Sequence, residues 1–204
     1  MGFQSLRVIN DDRVAPGAGF GTHPHNNMEI ISYVLEGALE HKNSMRNGSV
    51  IQPGAVPRLS AGTGITHSEF NHSKVSEVHF LQIWFVPDSK DVEPSYAQQA
   101  FSEQDKRGRF CLVASKQGRD GSISLHQDMD MSVALINQDE EVDYAIMPGR
   151  AAWVHIARGQ VAMNDNELKT GDGAEISDEN LLQFKQGQNA EVIVLDVVTS
   201  FLCE

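Results

Sequence analysis

Two pairs of potential metal ligands, each with a single intervening residue, restrict the fold of this chain more than any other feature. The pairs are His23-Pro24-His25 and His67-Ser68-Glu69. In a β-strand, residues two positions apart project to the same face, so each pair can direct two donor atoms at one point. Two such strands side by side would hold one metal ion. The sequence therefore predicts a β-rich domain built around a metal centre.

The surroundings of the two pairs support this interpretation. Glycines are clustered just before each pair, and runs typical of strands follow at residues 30–35 and 78–86. Between them, residues 50–54 form a short strand that ends in a tight Pro-Gly turn. A single His-x-His occurs easily by chance in a chain with eight histidines. Two ligand pairs in the same strand-and-turn context indicate a built site.

Three imidazoles and one carboxylate form a ligand set that suits several divalent transition metals. We expect Fe(II), with Mn, Ni, Co, Cu and Zn as alternatives. Four protein ligands leave an octahedral ion two open positions, so the site is suited to catalysis as well as to a structural role. Glu69 is also the candidate catalytic group, because a carboxylate at the metal can accept a proton from a substrate.

Short apolar runs alternate with turn signals along the whole chain, a pattern typical of β-sandwiches and barrels. Residues 1–87 are expected to form the metal-binding domain, and the polar residues 88–108 a linker with one helical turn. Residues 109–204 repeat the strand pattern without a His-x-His and predict a second domain that binds no metal. Turns are expected within this half at Gly159 and Gly187, and the lone His126 and His155 are expected to be hydrogen-bonded packing residues.

Composition excludes several classes of function. A net charge of −12 opposes direct binding to nucleic acid, which needs clustered cations, and the short basic stretch 106–109 is more simply a solvated turn. No run of 18 apolar residues and no apolar signal core occur, so we expect no membrane association and a cytoplasmic location. Cys111 and Cys203 lack paired spacing, which argues against a disulfide framework and fits a reducing compartment.

At the level of motifs the chain resembles the pirin family of bicupins. The resemblance is dense over residues 6–87 and thin after them. It is carried by Gly19-Phe20-Gly21-Thr22-His23-Pro24-His25, Tyr33-Val34-Leu35-Glu36-Gly37, Glu40-His41 and Ala61-Gly62-Thr63-Gly64-Ile65-Thr66-His67-Ser68-Glu69.

The resemblance implies an all-β bicupin, with two double-stranded β-helix (jelly-roll type) domains of which the second is degenerate. His23, His25, His67 and Glu69 match the four metal ligands of the family. Glu29 stands where many other cupins place their ligating glutamate. We expect it to lie next to the metal ligands without binding the metal itself. The family usually has a further aromatic-rich segment upstream, and its absence is expected to expose a sheet edge or to open one side of the pocket.

The resemblance also implies a function, quercetin 2,3-dioxygenase activity, in which a flavonol is opened by O2 with release of CO. Phe20, Met28 and Trp84 are candidates for holding the planar aromatic substrate, although ordinary core packing would also explain them. Two alternatives remain open: a non-enzymatic, metal-dependent regulator that binds a protein partner, and a metal enzyme of another type, such as a cupin isomerase or an acireductone-like dioxygenase. A monomer or a dimer is expected. Three further histidines could line the pocket, but each lacks a ligand-like residue two positions later, and we expect most of them to have no functional role: His41, His72 and His79.

Overall fold

The structure, a computed structural model, describes residues 2–46 and 48–199 and divides the chain into two compact units. One unit comprises Leu6–Ala100 and Leu125–Gln127. The other comprises Phe3–Ser5, Phe101–Ser124 and the residues from Asp128 on. Both units are built from strands that pair almost entirely in antiparallel fashion, which confirms the all-β class that the sequence predicts.

The first unit consists of two antiparallel sheets with the strand orders β1-β8-β3-β6-β9 and β2-β7-β4-β5. Its core lies between them, where Val34 and Phe80 of the first sheet pack with Leu39 and Ile51 of the second. The central strand β3 is buried along its length except at Glu36. The strands are, in chain order, β1 (Leu6–Val14), β2 (Gly19–His25), β3 (Glu29–Glu36), β4 (Leu39–Asn43), β5 (Gly48–Ile51), β6 (Ala55–Ser60), β7 (Ile65–Asn71), β8 (Val78–Phe85) and β9 (Ser95–Ala100).

The segment 88–108, which the sequence assigns to a linker, contains regular structure. Its strand β9 pairs along β6 from Ser60 to Ala55 and closes one edge of the first sheet. β9 is only partly buried and lacks an apolar alternation, so its sequence does not resemble a strand. The expected helical turn is present as α1 (Glu103–Lys106), which begins at Ser102 with a capping box to Asp105.

The second unit forms a sheet with the order β11-β10-β12-β17-β14-β15, to which β13 adds beside β17 and β16 beside β14. Its interior is filled by apolar side chains that include Val154, Ile156, Phe184 and Val192. Its strands are β10 (Cys111–Ser115), β11 (Ile123–Ser124), β12 (Met129–Ile136), β13 (Val142–Ala145), β14 (Arg150–Met163), β15 (Asn166–Lys169), β16 (Gly173–Ile176) and β17 (Leu181–Val198).

The turns predicted at Gly159 and Gly187 are wrong, because both glycines lie inside long strands. Gly159 has a φ of +69°, and the register between β14 and β17 shifts on both sides of it. A side chain at Gly159 would clash with the carbonyl of Gln188, and one at Gly187 with the carbonyl of Ile136. Glycine thus lets these strands bulge and continue, and in the sequence such a bulge looks like a turn.

No helix among the described residues is long and apolar enough to cross a membrane. Cys111 is a free, half-buried thiol, whereas Cys203 lies outside the described residues.

Gly62 precedes the ligand strand β7, and its replacement by alanine is expected to destabilise the fold by about 2–5 kcal/mol. Its φ is +47°, a conformation that is unfavourable for residues with a side chain, and a methyl group there would clash with the carbonyl of Val92. Denaturant unfolding measures the loss. Gly21→Ala is the matched control, since its Cβ would meet nothing within 4 Å, and a change within about 0.5 kcal/mol is expected. Equal stability of the two variants would contradict the prediction.

Candidate metal centre

The first unit brings the two predicted ligand pairs together on neighbouring strands. β2 and β7 pair antiparallel, with His23 directly opposite His67 and His25 opposite Ile65. The Nε2 atoms of His23 and His67 are 3.0 Å apart. One ligand atom from each of the three histidines lies within 4.8 Å of the other two. The prediction that the two ligand pairs lie on neighbouring strands is therefore confirmed, and their three imidazoles lie close together.

The three histidines fit a divalent transition metal. Two nitrogen ligands at right angles on an ion, each about 2.1 Å from it, would be about 3 Å apart, as the Nε2 atoms of His23 and His67 are. The Nε2 of His25 is buried and has no hydrogen-bond partner among the described residues. A buried nitrogen without a partner costs free energy, which a bound ion would offset. Imidazole is moreover a ligand that suits Fe, Ni, Cu and Zn.

Burial favours the neutral form of His25 and His67, the form in which a histidine binds a metal. Burial, with smaller contributions from the neighbouring histidines, lowers the pKa of His67 to about 3. Burial also lowers the pKa of His25, and the nearby His23 adds to this effect. His23 places its Nδ1 2.8 Å from the carbonyl oxygen of Gly21, so this nitrogen donates and the Nε2 is left as the ligand atom.

Glu69 lies two residues after His67 on the same buried face of β7 but outside the cluster of three histidines. Its Oε2 accepts a hydrogen bond of 2.6 Å from Gln82, and its Oε1 accepts one of 3.4 Å from Ser32. Burial raises the pKa of Glu69, and the hydrogen bond from Gln82 opposes the rise. Its roles as fourth ligand and as proton acceptor remain predictions.

Of the three residues predicted to hold a substrate, two lie beside the histidines. Met28 and Trp84 pack on the apolar cluster formed around Ile30 and Ile65, and the ring of Trp84 meets that of His25 edge to face at 4.9 Å. Phe20 is 41% exposed and lies opposite Glu69 in the β2–β7 pairing, away from that cluster. Substrate binding by all three remains a prediction.

The position of Trp84 settles which face of β8 is turned inward, a point that the sequence leaves open. Its indole Nε1 donates to Gln82 Oε1 at 2.8 Å, and Gln82 in turn donates to Glu69. Because the indole takes up the carbonyl oxygen of Gln82, only the amide nitrogen can face Glu69. Trp84 thus fixes the direction of the hydrogen bond that Glu69 receives.

The expected place of Glu29 near the metal is wrong. Its Oε2 accepts from the Ser60 hydroxyl at 2.9 Å and from the backbone nitrogen of His126 at 3.1 Å. Glu29 and Ser32 are an odd number of positions apart on β3, and therefore project to opposite faces. Since Ser32 contacts Glu69, Glu29 points away from the histidines. His126 is the hydrogen-bonded packing residue that the sequence predicts.

The remaining histidines differ in their partners. His79 pairs with Asp11 at 2.6 Å, and the exposed His72 lies 3.4 Å from Glu40. His155 is buried in the second unit, where the described residues contain no cluster of potential metal ligands comparable to the one in the first. His41 differs from these, because its Nε2 lies 3.1 Å from Nδ1 of His67.

Sequence reasoning thus missed Ser32 as a neighbour of the site, and it named His41 only as one of three histidines that could line the pocket. Both follow the alternation of their strands, since His41 lies two positions after the buried Leu39, and Ser32 two positions after Ile30. That alternation was a usable signal. The alternation does not tell which strands are neighbours in the fold, however, and the arrangement of the strands is what brings both side chains to β7.

Comparison with known proteins agrees with this geometry. A family profile described as "Pirin" matches residues 1–85, and one described as "Quercetinase C-terminal cupin domain" matches residues 112–197. A protein of Escherichia coli K12 named quercetin 2,3-dioxygenase is 41% identical over 198 residues, a match that covers 97% of this chain and 84% of that protein.

Solved structures give the same relationship. The bacterial pirin YhhW of Escherichia coli, crystallised in complex with nickel(II), superposes with a TM-score of 0.91 at 40% identity, covering 97% of this chain and 84% of that one. A quercetin 2,3-dioxygenase of Acinetobacter baumannii shares the fold alone, with a TM-score of 0.77 at 20% identity over 95% of this chain and 75% of that one. On these grounds the chain belongs to the pirin family and has its bicupin fold, with two cupin domains.

Proposed function

We propose that this protein is a metal-dependent dioxygenase that opens a flavonol such as quercetin with O2 and releases CO. The observation that supports this most is the convergence of His23, His25 and His67 at a single point, with a buried and unpartnered Nε2 on His25. The name of the Escherichia coli relative, 41% identical over nearly the whole chain, indicates the reaction. We propose that the protein acts in the cytoplasm and that its substrates are a flavonol and O2.

The metal would be held by the three histidines, with Glu69 as the proposed fourth ligand. We propose Fe(II) as the resident ion; the nickel(II) complex of the bacterial pirin supports a divalent transition metal in general. When bound, such an ion lowers the pKa of a hydroxyl that it contacts and stabilises the anion.

In the proposed reaction Glu69 accepts the proton of the flavonol 3-hydroxyl. Its Oε1 is the available atom, because it receives only the long bond from Ser32, whereas Oε2 is held by Gln82. Burial raises the pKa of this carboxyl and so makes it a better base. The flavonol anion then combines with O2, and the products are an opened depside and CO.

The planar substrate would lie against Met28 and Trp84. Both side chains are half-buried, and both belong to the apolar cluster next to the histidines. An apolar wall with a few polar groups at its base is the usual form of a site for an aromatic ligand. Phe20 is proposed as a further contact from β2.

The proposal is tested by assaying quercetin turnover with protein that has been stripped of metal and reloaded anaerobically. Separate samples receive Fe(II), Mn, Co, Ni, Cu or Zn, and both O2 uptake and CO release are measured. We expect no turnover by the stripped protein and equal amounts of O2 consumed and CO released after reloading, with Fe(II) among the active ions.

Three results would count against the proposal. O2 uptake without CO would indicate a different oxygenase, such as one of the acireductone type. No reaction from protein that nonetheless binds one metal per chain would favour the metal-dependent partner-binding role, or an isomerase that does not use oxygen. Turnover by stripped protein would remove the metal from the reaction altogether.

A further inference from the structure

We propose that His41 is a positioning residue that holds His67 in the tautomer and orientation in which it can bind the metal. This inference rests on the proposed metal centre. A histidine that binds a metal through Nε2 carries its proton on Nδ1, and an acceptor for that proton fixes the ring. Nδ1 of His67 lies 3.1 Å from Nε2 of His41, which can act as this acceptor.

The backbone places His41 at the required point. β4 and β7 pair antiparallel with His41 opposite Glu69, so the side chain enters the layer that holds His67. His41 is buried, and the two imidazole rings meet edge to face with their centroids 5.2 Å apart. This geometry suits a hydrogen bond in the plane of one ring, directed from His67 to His41.

A second contact fixes the His41 ring itself. Tyr96 stacks on it with an interplanar angle of 9° and a centroid distance of 5.1 Å. The Tyr96 hydroxyl is anchored at both sides, 2.7 Å from the hydroxyl of Ser49 and donating to Gln98 Oε1 at 2.8 Å. The flat stacking prevents the imidazole from tilting, so its Nε2 stays aimed at His67.

Among the described residues, the side chain of His41 has a hydrogen-bond partner only in His67. Its other nitrogen, Nδ1, is buried and has no partner among the described residues. A histidine kept only for packing would gain nothing from this arrangement, because a phenylalanine would fill the space without burying an unpaired nitrogen. The contact with His67 gives the histidine a role that an apolar ring cannot take.

The test compares metal binding and ring tautomers in three variants. His41→Phe keeps a ring that can stack on Tyr96 but removes the acceptor, and His41→Gln restores an acceptor through its amide oxygen. His72→Phe makes the same change at an exposed histidine just after β7. Ni²⁺ affinity is measured by competition with a chelator. Nitrogen NMR of the Zn²⁺-loaded protein, which is diamagnetic, reports which ring nitrogen of His67 carries the proton and whether that proton is hydrogen-bonded.

We expect His41→Phe to weaken Ni²⁺ binding by about 10–100-fold, the range found when the partner of a metal ligand is removed. In the Zn²⁺-loaded variant, His67 should keep its Nδ1 proton but lose the hydrogen bond to residue 41, which is seen as faster exchange of that proton with solvent. His41→Gln should recover most of the affinity, and His72→Phe should bind like the wild type. Thermal unfolding of each variant separates these effects from loss of the fold.

Different results identify different failures. Wild-type affinity in folded His41→Phe, with loss of binding in His25→Ala, would overturn the role of His41 and leave the metal centre standing. Full Ni²⁺ affinity in His25→Ala would overturn the metal centre and the positioning role with it. Independently of any variant, metal binding through Nδ1 of His67 in the Zn²⁺-loaded wild type would overturn the positioning role, because no proton would then be left on Nδ1 for His41 to accept.

Discussion

His25→Ala is expected to lower the affinity for divalent metal by more than about 100-fold and to abolish CO release from quercetin. Even the loss of a partner of a ligand costs about 10–100-fold, so the loss of one of three imidazoles should cost more. His25 is the best of the three to remove, because it lies at the end of β2 and is only half-buried. Its Nε2 makes no hydrogen bond to the described part of the chain that the mutation would break.

The measurement combines Ni²⁺ titration, metal content after gel filtration and CO release from reloaded protein. His72→Ala is the matched control, because it removes an exposed imidazole that lies 3.4 Å from Glu40 and outside the cluster of three histidines. It should keep the metal and the activity of the wild type. If His25→Ala retained one tightly bound metal per chain, the ion would have to be held elsewhere, and the three histidines would lose the role proposed for them.

The part of the site that could be predicted from sequence depends on local geometry alone. The i, i+2 spacing of His23 and His25 determines that both project to one face of whatever strand they form. The same rule applies to Gln82 and Trp84, which are two positions apart and therefore share a face of β8, and the structure shows that this face is turned toward Glu69. Residues two positions apart in a strand project to the same face whichever strands lie beside it, so this part of the prediction needs no knowledge of the strand pairing.

The parts that could not be predicted depend on strand pairing. His41 reaches His67 because β4 lies next to β7, and Tyr96 reaches His41 because β9 extends the opposite sheet at β6. The pairing of strands distant in sequence leaves no local pattern from which it can be read. Glu29 was misplaced for another reason. The expectation rested on the position of the ligating glutamate in other cupins, whereas the alternation of β3 turns this side chain away from the histidines.

Strand ends were mispredicted where glycine allows a bulge. Gly159 and Gly187 are surrounded by polar residues, a pattern that normally ends a strand. In the structure, β14 and β17 continue through these positions because their neighbours already provide hydrogen-bonded partners on both sides of the irregularity. Pairing with neighbouring strands thus overrides a local turn signal. The all-β class of the fold and the approximate number of strands, in contrast, follow from the apolar runs in the sequence.

The hydrogen bonds around Glu69 lead to the most specific prediction for the reaction. Glu69→Gln is expected to lower kcat for quercetin by about 10²–10⁴-fold, the usual contribution of a proton-accepting side chain. The variant should fold, because the fixed amide of Gln82 can donate to the new carbonyl oxygen and the hydroxyl of Ser32 can accept from the new amide. Glutamine therefore keeps the shape and the contacts but cannot take a proton.

The assay must separate a lost base from a lost ligand, since Glu69 is proposed to be both. kcat is therefore measured at saturating metal, with occupancy determined in the same samples. Glu40→Gln is the matched control, because the same change is made on β4 at a carboxylate that contacts Lys42 and His72. A full kcat at full occupancy would assign the proton to another acceptor. If kcat is low only because fewer sites hold metal, and rises in proportion to occupancy, Glu69 acts as a ligand only. If kcat stays low when every site holds metal, the bound metal lacks its base, and Glu69 is supported as the proton acceptor.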